Sequence, residues 1–387
     1  MKKLTTVLLV FALLLSGCGC SKKPAATDPN SDPNKVTVNK TTVPSTKPST
    51  PAPTAATEAT TAPTTATTAP TETTAATEAT VLYRHPLTGE VLEEAWSGQL
   101  TAVMVNNIKA AMPQHGLSQA DIIYEIEEES SITRNMAIYS DVSKAGTLGS
   151  VRSTRTYFVS VARSFDAYLV HCGTSNHARG GGYDNSGAKL TAWKDIDQQN
   201  SKFGSAFYRD KDRQYAGYAW EHTLFTTGEK LDNIMDDLAQ SNPTPVFGFK
   251  EGIDLGGELA NEITIKFKGT KTTAFTYDTV TGLYTRYQHG GVSVDGSNKQ
   301  TETVKNVIAI YTNQWGCSCG SGHQFYDTIG SGKGYAATNG KIVPIKWSRA
   351  SVNDPFVYTL EDGSPLELDV GNSYIAVVGE KFPIAYK

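Results

Sequence analysis

Residues 22–80 hold no aromatic side chain and are nearly all Thr, Ala, Pro, Ser, Lys and Glu. A chain of this composition cannot bury enough apolar surface to offset the entropy of ordering its backbone. The stretch therefore adds nothing to a core, and any fold must be built from residues C-terminal to it. The heptapeptide Thr54-Ala-Ala-Thr-Glu-Ala-Thr60 recurs unchanged at residues 74–80, a mark of low-complexity duplication. Residues 18–80 read as a disordered tether whose Ser, Thr and Pro content also suits O-glycosylation. At about 5–6 Å × √n, roughly 60 such residues reach on the order of 45 Å, or about 180 Å when fully extended.

Ahead of the tether, Met1-Lys2-Lys3 and the apolar run Leu4 to Leu15 form a charged n-region and a short h-region, the pattern of an export signal. The run is too short for a comfortable membrane span. Leu15-Ser16-Gly17-Cys18 resembles the bacterial lipobox. That resemblance implies removal of residues 1–17 and lipidation of the Cys18 sulfur. The product is an extracytoplasmic lipoprotein whose first partner is the membrane holding its anchor. Net charge is −4 with a pI near 6.0, and no basic tract is long enough for nucleic-acid binding. Four further cysteines (Cys20, Cys172, Cys317 and Cys319) are too few for a disulfide scaffold in a chain of 387 residues, so a conventional core must carry the fold.

The folded part begins near residue 81. Residues 101–107 are a short apolar, β-branched run ending in Asn106-Asn107, a pair able to line a site or brace a turn. Leu117-Ser118-Gln-Ala-Asp121 resembles a capping box opening a helical turn. Residues 122–129 fit helix or strand equally well, and Glu125, Glu127, Glu128 and Glu129 read as a solvated face. Glu125 alone, between Tyr124 and Ile126, is a candidate partner for an arginine. Ile132 to Tyr139 reads as a strand with Arg134 on the face of Met136 and Ile138, where an unpaired charge would cost several kcal/mol, of order 3–5. An internal carboxylate or a bound anion must answer it. Residues 166–173 form another apolar strand ending in His171, with Cys172 a small buried residue and a polar loop after it. Residues 180–205 read as a surface excursion. Thr227 caps a helix with apolar residues at Leu231, Ile234, Met235 and Leu238. Ser241 to Pro245 marks a boundary, and from Phe247 onward short alternating runs give a β-rich part with an Asn339-Gly340 hairpin.

The densest functional signal is 149–158, Gly-Ser-Val-Arg-Ser-Thr-Arg-Thr-Tyr-Phe. Tyr157, Phe158, Val161, Ala162 and Phe165 fall on one side of a helix, with Ser150 or Ser153 as its expected N-cap. Arg152 and Arg155 then lie in or beside the first turn, where cations oppose the helix dipole. Beside unpaired backbone N–H groups they favour an anion, unless carboxylates of the same chain pair with them. Downstream, Arg209-Asp210 and Trp220-Glu221-His222 mix aromatic and titratable residues. Cys317-x-Cys319 with His323 ranks first as a surface-loop disulfide, then as a reactive dithiol, and last as a three-ligand zinc site. No cofactor motif stands out.

Several of these stretches together resemble the YerB-like lipoproteins, a bacterial family defined around a domain of unknown function. The matching runs are 103–107, 113–125, 132–134, 149–155, 170–173, 207–210, 222–227, 332–335 and 339–347. The resemblance implies an α+β fold: a layered α/β sandwich with a mixed sheet at 81–245, followed by a β-rich part at 246–387. It also implies a bacterial envelope location and no established activity. Against the family pattern, Cys172 replaces a small residue, Glu129-Ser130-Ser131 replaces glycines, and the Cys317–Cys319 loop is an addition.

Three functions compete. In a binding module, Arg134, Arg152, Arg155 and Arg209, with Asn106, Asn107, Glu125, His171, Asp210 and His222, would hold the carboxylate or phosphate of a cell-envelope ligand such as a wall polymer. In a hydrolase or transferase on a phosphate-bearing polymer, the arginines would stabilise charge, His171 or His222 would move protons and Asp210 would orient one of them. A structural partner of another envelope protein would use the β-rich half.

Overall fold

A computed structural model describes residues 82–129, 131–181, 194–318, 320 and 322–387. The expected signal peptide, the lipidation site Cys18, the tether, Cys319 and part of the 180–205 excursion lie outside the described residues.

Eleven strands make the central sheet. From one edge the order is Glu258–Leu259, Lys341–Arg349, Gly330–Thr338, Asn306–Thr312, Ser373–Gly379, Ile122–Glu129, Ile132–Tyr139, Thr101–Asn106, Tyr168–His171 and Asp195–Asp197, with Val357–Leu360 also paired to Lys341–Arg349. The sheet is mixed. Ser373–Gly379 runs parallel to both of its neighbours, and Thr101–Asn106 runs parallel to Tyr168–His171. Six strands from beyond residue 245 therefore lie on one side and five from before it on the other, joined with no break in hydrogen bonding where Ser373–Gly379 pairs with Ile122–Glu129.

Alternation along each strand supplies two apolar faces. Met104, Tyr124, Ile126, Met136 and Ile138 meet Tyr157, Phe158 and Val161 of the helix Thr156–Ser164 and Phe165 at its C-cap. On the other face Val103, Ile123, Ala137, Tyr374 and Ala376 pack with Ile263, Ile265, Phe275 and Tyr284 of a six-stranded antiparallel sheet, and with Leu231 and Met235 of the helix Gly228–Met235. The strand at Ile132–Tyr139, the Thr227 cap and the two-residue turn joining Thr338 to Lys341 all form as their sequences require.

Two expectations are corrected. The acidic run 122–129 is a strand whose Glu125, Glu127 and Glu128 are buried at 0–1% exposure, because it lies inside the sheet with layers on both faces. The helix after the arginines starts at Thr156, and its N-cap position is Arg155, with no side-chain cap. Ser150 and Ser153 instead serve the extended segment: Ser150 N donates to Gln114 Oε1 at 2.6 Å, and Ser153 Oγ to the Cys172 carbonyl at 2.8 Å.

Candidate functional site

Segment 149–154 runs extended across the carboxyl ends of two parallel strands. Arg152 N donates to Met104 O, Cys172 N to Arg152 O, and Thr154 N to Gly173 O, at 3.0, 3.0 and 3.1 Å. The carboxyl ends of parallel strands are where α/β sheets gather ligands. Here the ends of Thr101–Asn106 and Tyr168–His171 bring Asn106, His171, Cys172 and Arg152 into one neighbourhood.

The arginines then separate into two kinds. Arg134 and Arg155 are buried and answered from within. Glu128, at a β-bulge between Glu127 and Glu129, pairs with both, and Glu129 takes a second bond from Arg155 at 2.9 Å. Ser153 O and Thr154 O accept from them as well. Burial, partly opposed by Glu128, pushes Arg134 down to about 10. The internal partners are Glu128 and Glu129, not Glu125 or Asp210. Of the two cations expected to face a ligand at the helix start, Arg155 is neutralised there.

Arg152 and Arg209 are different. Arg152 Nη1 donates to the Glu221 carbonyl at 3.2 Å and Arg209 Nη1 to the Trp220 carbonyl at 2.6 Å. The Arg209 guanidinium also stacks 4.2 Å over the Trp220 ring. Neither makes an ion pair among the described residues. Burial lowers the Arg209 pKa, and the neighbouring Arg152 charge adds to that. The Glu221 side chain, exposed, feels both guanidinium groups without closing on either.

His222 completes this group. It is buried, and its Nδ1 accepts from Asn106 Nδ2 at 3.1 Å. Burial lowers its pKa, Glu221 opposes the shift, and Arg152 and Arg213 reinforce it, so the ring is held neutral. Cys172 is a free, half-buried thiol between these arginines and Asp197, with Sγ 3.2 Å from Gln198 Oε1; burial pushes the thiol up and away from thiolate.

Other expected site residues serve the fold. Asn107 turns to the opposite face and donates to Glu125 and Thr133 at 2.9 and 2.8 Å. Glu125 is the centre of a buried network, taking Arg286 at 2.6 Å, Tyr374 at 2.7 Å, Thr273 at 2.9 Å and Lys271 at 3.2 Å. Burial alone would raise its pKa, but Lys271 and Arg286 outweigh that and hold it far below the carboxylate range. His171, fully buried, bridges Asp195 at 2.5 Å and Gly173 O at 2.9 Å. Asp210 caps the short helix Lys211–Tyr215 by accepting from Arg213 N at 3.0 Å, so it orients no histidine. Cys317 is disulfide-bonded, with its partner outside the described residues, which removes its thiolate as a zinc ligand. His323 pairs with Glu129 at 3.1 Å.

Lys271 and Arg286 were missed, although a signal existed: Arg286 alternates with Tyr284 and Gln288 along Leu283–Gln288 and so faces inward. Among the described residues no helix is long and apolar enough to cross a membrane.

Comparison with known proteins agrees with this architecture. A family model described as "Protein of unknown function (DUF3048) N-terminal domain" matches residues 87–241, and the corresponding C-terminal domain matches 263–375. The chain is 28% identical over 300 residues to "Putative lipoprotein YerB" of Bacillus subtilis, spanning 76% of this chain and 85% of that protein. The crystal structure of YerB protein from Bacillus subtilis superposes with a TM-score of 0.65 at 25% identity, covering 78% of this chain and 99% of the other.

Proposed function

The chain belongs to the DUF3048 family, the YerB-like proteins, and on that premise we propose that it is a lipid-anchored extracytoplasmic binding module for an anionic cell-envelope ligand, held at Arg152 and Arg209. Cys18 carries the anchor, and residues 18–80 are the tether that lets the folded part work away from the membrane. The observation that carries the anion site is the contrast within one cluster. Arg134 and Arg155 have carboxylates, while Arg152 and Arg209 are aimed by consecutive carbonyls and meet no acid within ion-pair distance among the described residues. Two guanidinium forks set side by side suit a phosphate or carboxylate, which accepts in-plane bonds from both.

Retention of the full-length chain, in detergent, by purified bacterial wall fragments tests this. Arg152→Gln with Arg209→Gln is expected to cut retention about tenfold or more, the loss of two charge-assisted contacts, with the unfolding midpoint unchanged. Unaltered retention in that double variant removes the anion site. Release of phosphate or wall fragments during incubation would replace binding by catalysis.

A further inference from the structure

Beside the two arginines lies a concavity of about 420 Å³ walled by Ala110, Ala216, Gly217, Tyr218, Ala219 and His222. Arginines and concavity share one short element. Ala219 and His222 bracket the 3-10 turn Trp220–His222, and the Trp220 and Glu221 carbonyls of that turn hold Arg209 and Arg152. At about 2.0 Å of rise per residue, such a turn spans roughly 6 Å. A molecule as small as one sugar ring with an acidic substituent can therefore reach both.

His222 points to what the concavity receives. The side chain is 5% exposed, and its Nδ1 is already an acceptor, because the Asn106 amide nitrogen can only donate. In the neutral ring the proton then sits on Nε2, which has no hydrogen-bond partner among the described residues. That nitrogen is not sealed from solvent, so it is a donor open to an acceptor from outside the chain, on a ring that forms one wall of the concavity. No carboxylate is among those walls. The aromatic surface is also in place. Tyr218 is one wall, and Trp220 stays 61% exposed although Arg209 lies over its ring. Neutral N–H donor, open aromatic surface and adjacent cations together match a hydroxyl-bearing ring that carries an acid.

We infer that the ligand of this site is an anionic saccharide, its phosphate or carboxylate between Arg152 and Arg209 and its ring in the concavity, where a ring oxygen accepts from His222 Nε2–H. The inference rests on the proposed anion site and adds the chemical class of what is attached to the anion.

Calorimetric titration of the full-length chain in detergent with inorganic phosphate, glycerol 3-phosphate and glucose 6-phosphate separates the two. Glucose 6-phosphate is expected to bind about tenfold tighter than either acyclic probe. Ala216→Leu narrows the concavity at an exposed position and should bring the sugar phosphate level with inorganic phosphate, while phosphate affinity holds. Ala110→Leu narrows it from a different loop and repeats the test if the first variant folds poorly. Equal affinities in the unmodified chain, or a sugar advantage that survives both narrowings, overturn the saccharide and leave the anion site standing. Failure of all three probes to bind, or binding that Arg152→Gln does not weaken, overturns the anion site and the saccharide with it.

Discussion

Glu125 illustrates how much one side chain can be asked to hold. It is fully buried, and two cations and several neutral donors converge on it. Glu125→Gln keeps the shape but leaves Lys271 and Arg286 short of a countercharge, and breaking a buried pair from one side costs about 3–5 kcal/mol. Urea denaturation should show that loss, larger than for any change at Arg152. The sign of its pH dependence comes from the depressed folded pKa: the stabilisation is full above the ordinary value of 4.5 and is lost as pH falls below it. Arg155→Ala should behave like Glu125→Gln and unlike Arg152→Gln, destabilising the fold because Glu128 and Glu129 lose a partner. At this scale the sequence was half legible. The spacing Arg134, Met136, Ile138 announced a buried cation in need of an acid, and the acid was there. Which acid depends on a β-bulge and on a strand paired across the sheet, and residue spacing encodes neither.

Among the elements, the helix Gly228–Met235 depends on close approach at its first residue. The Gly228 amide donates to the Ala145 and Gly146 carbonyls at 3.1 and 3.0 Å, and a Cβ there would run into the carbonyls of Val142 and Ala145. Gly228→Ala should therefore cost roughly 1–3 kcal/mol by overpacking, read as a lowered thermal midpoint with the central sheet's circular dichroism retained. The same helix shows what a sequence states openly, its cap at Thr227 and its apolar spacing, although it ends at Met235, short of Leu238 and of the stop at residues 241–245. Segment 149–155 shows the opposite. Its apolar positions belong to the helix after it, while its own backbone is drawn straight by hydrogen bonds to Met104, Cys172 and Gly173, far away in sequence. A helical reading of Arg152 fails for that reason: it ends up across the carboxyl ends of two strands, while Arg155 takes the N-cap position of the helix and is paired there.

For the molecule as a whole, acid sensitivity comes from more than carboxylates. His115 and His289 are both held down to about 4, chiefly by burial, against 6.5 in the unfolded chain. Between those values the unfolded state binds more protons, so stability falls steadily as pH drops from 6.5 toward 4. Replacing both with Gln should flatten that stretch of a stability-versus-pH curve measured by urea denaturation. The β-rich second half and its turns were readable from alternation and Asn339-Gly340. That its strands join those of the first half in one sheet was not, since the pairing partners lie some 250 positions apart, as Tyr374 and Ile123 do. One consequence concerns the order of synthesis. Ser373–Gly379 is translated after the strands on both of its flanks, yet it sits between them. Until it emerges, the nascent polypeptide carries two unfinished edges and no way to close them, so the central sheet cannot be completed before nearly the whole chain has been made.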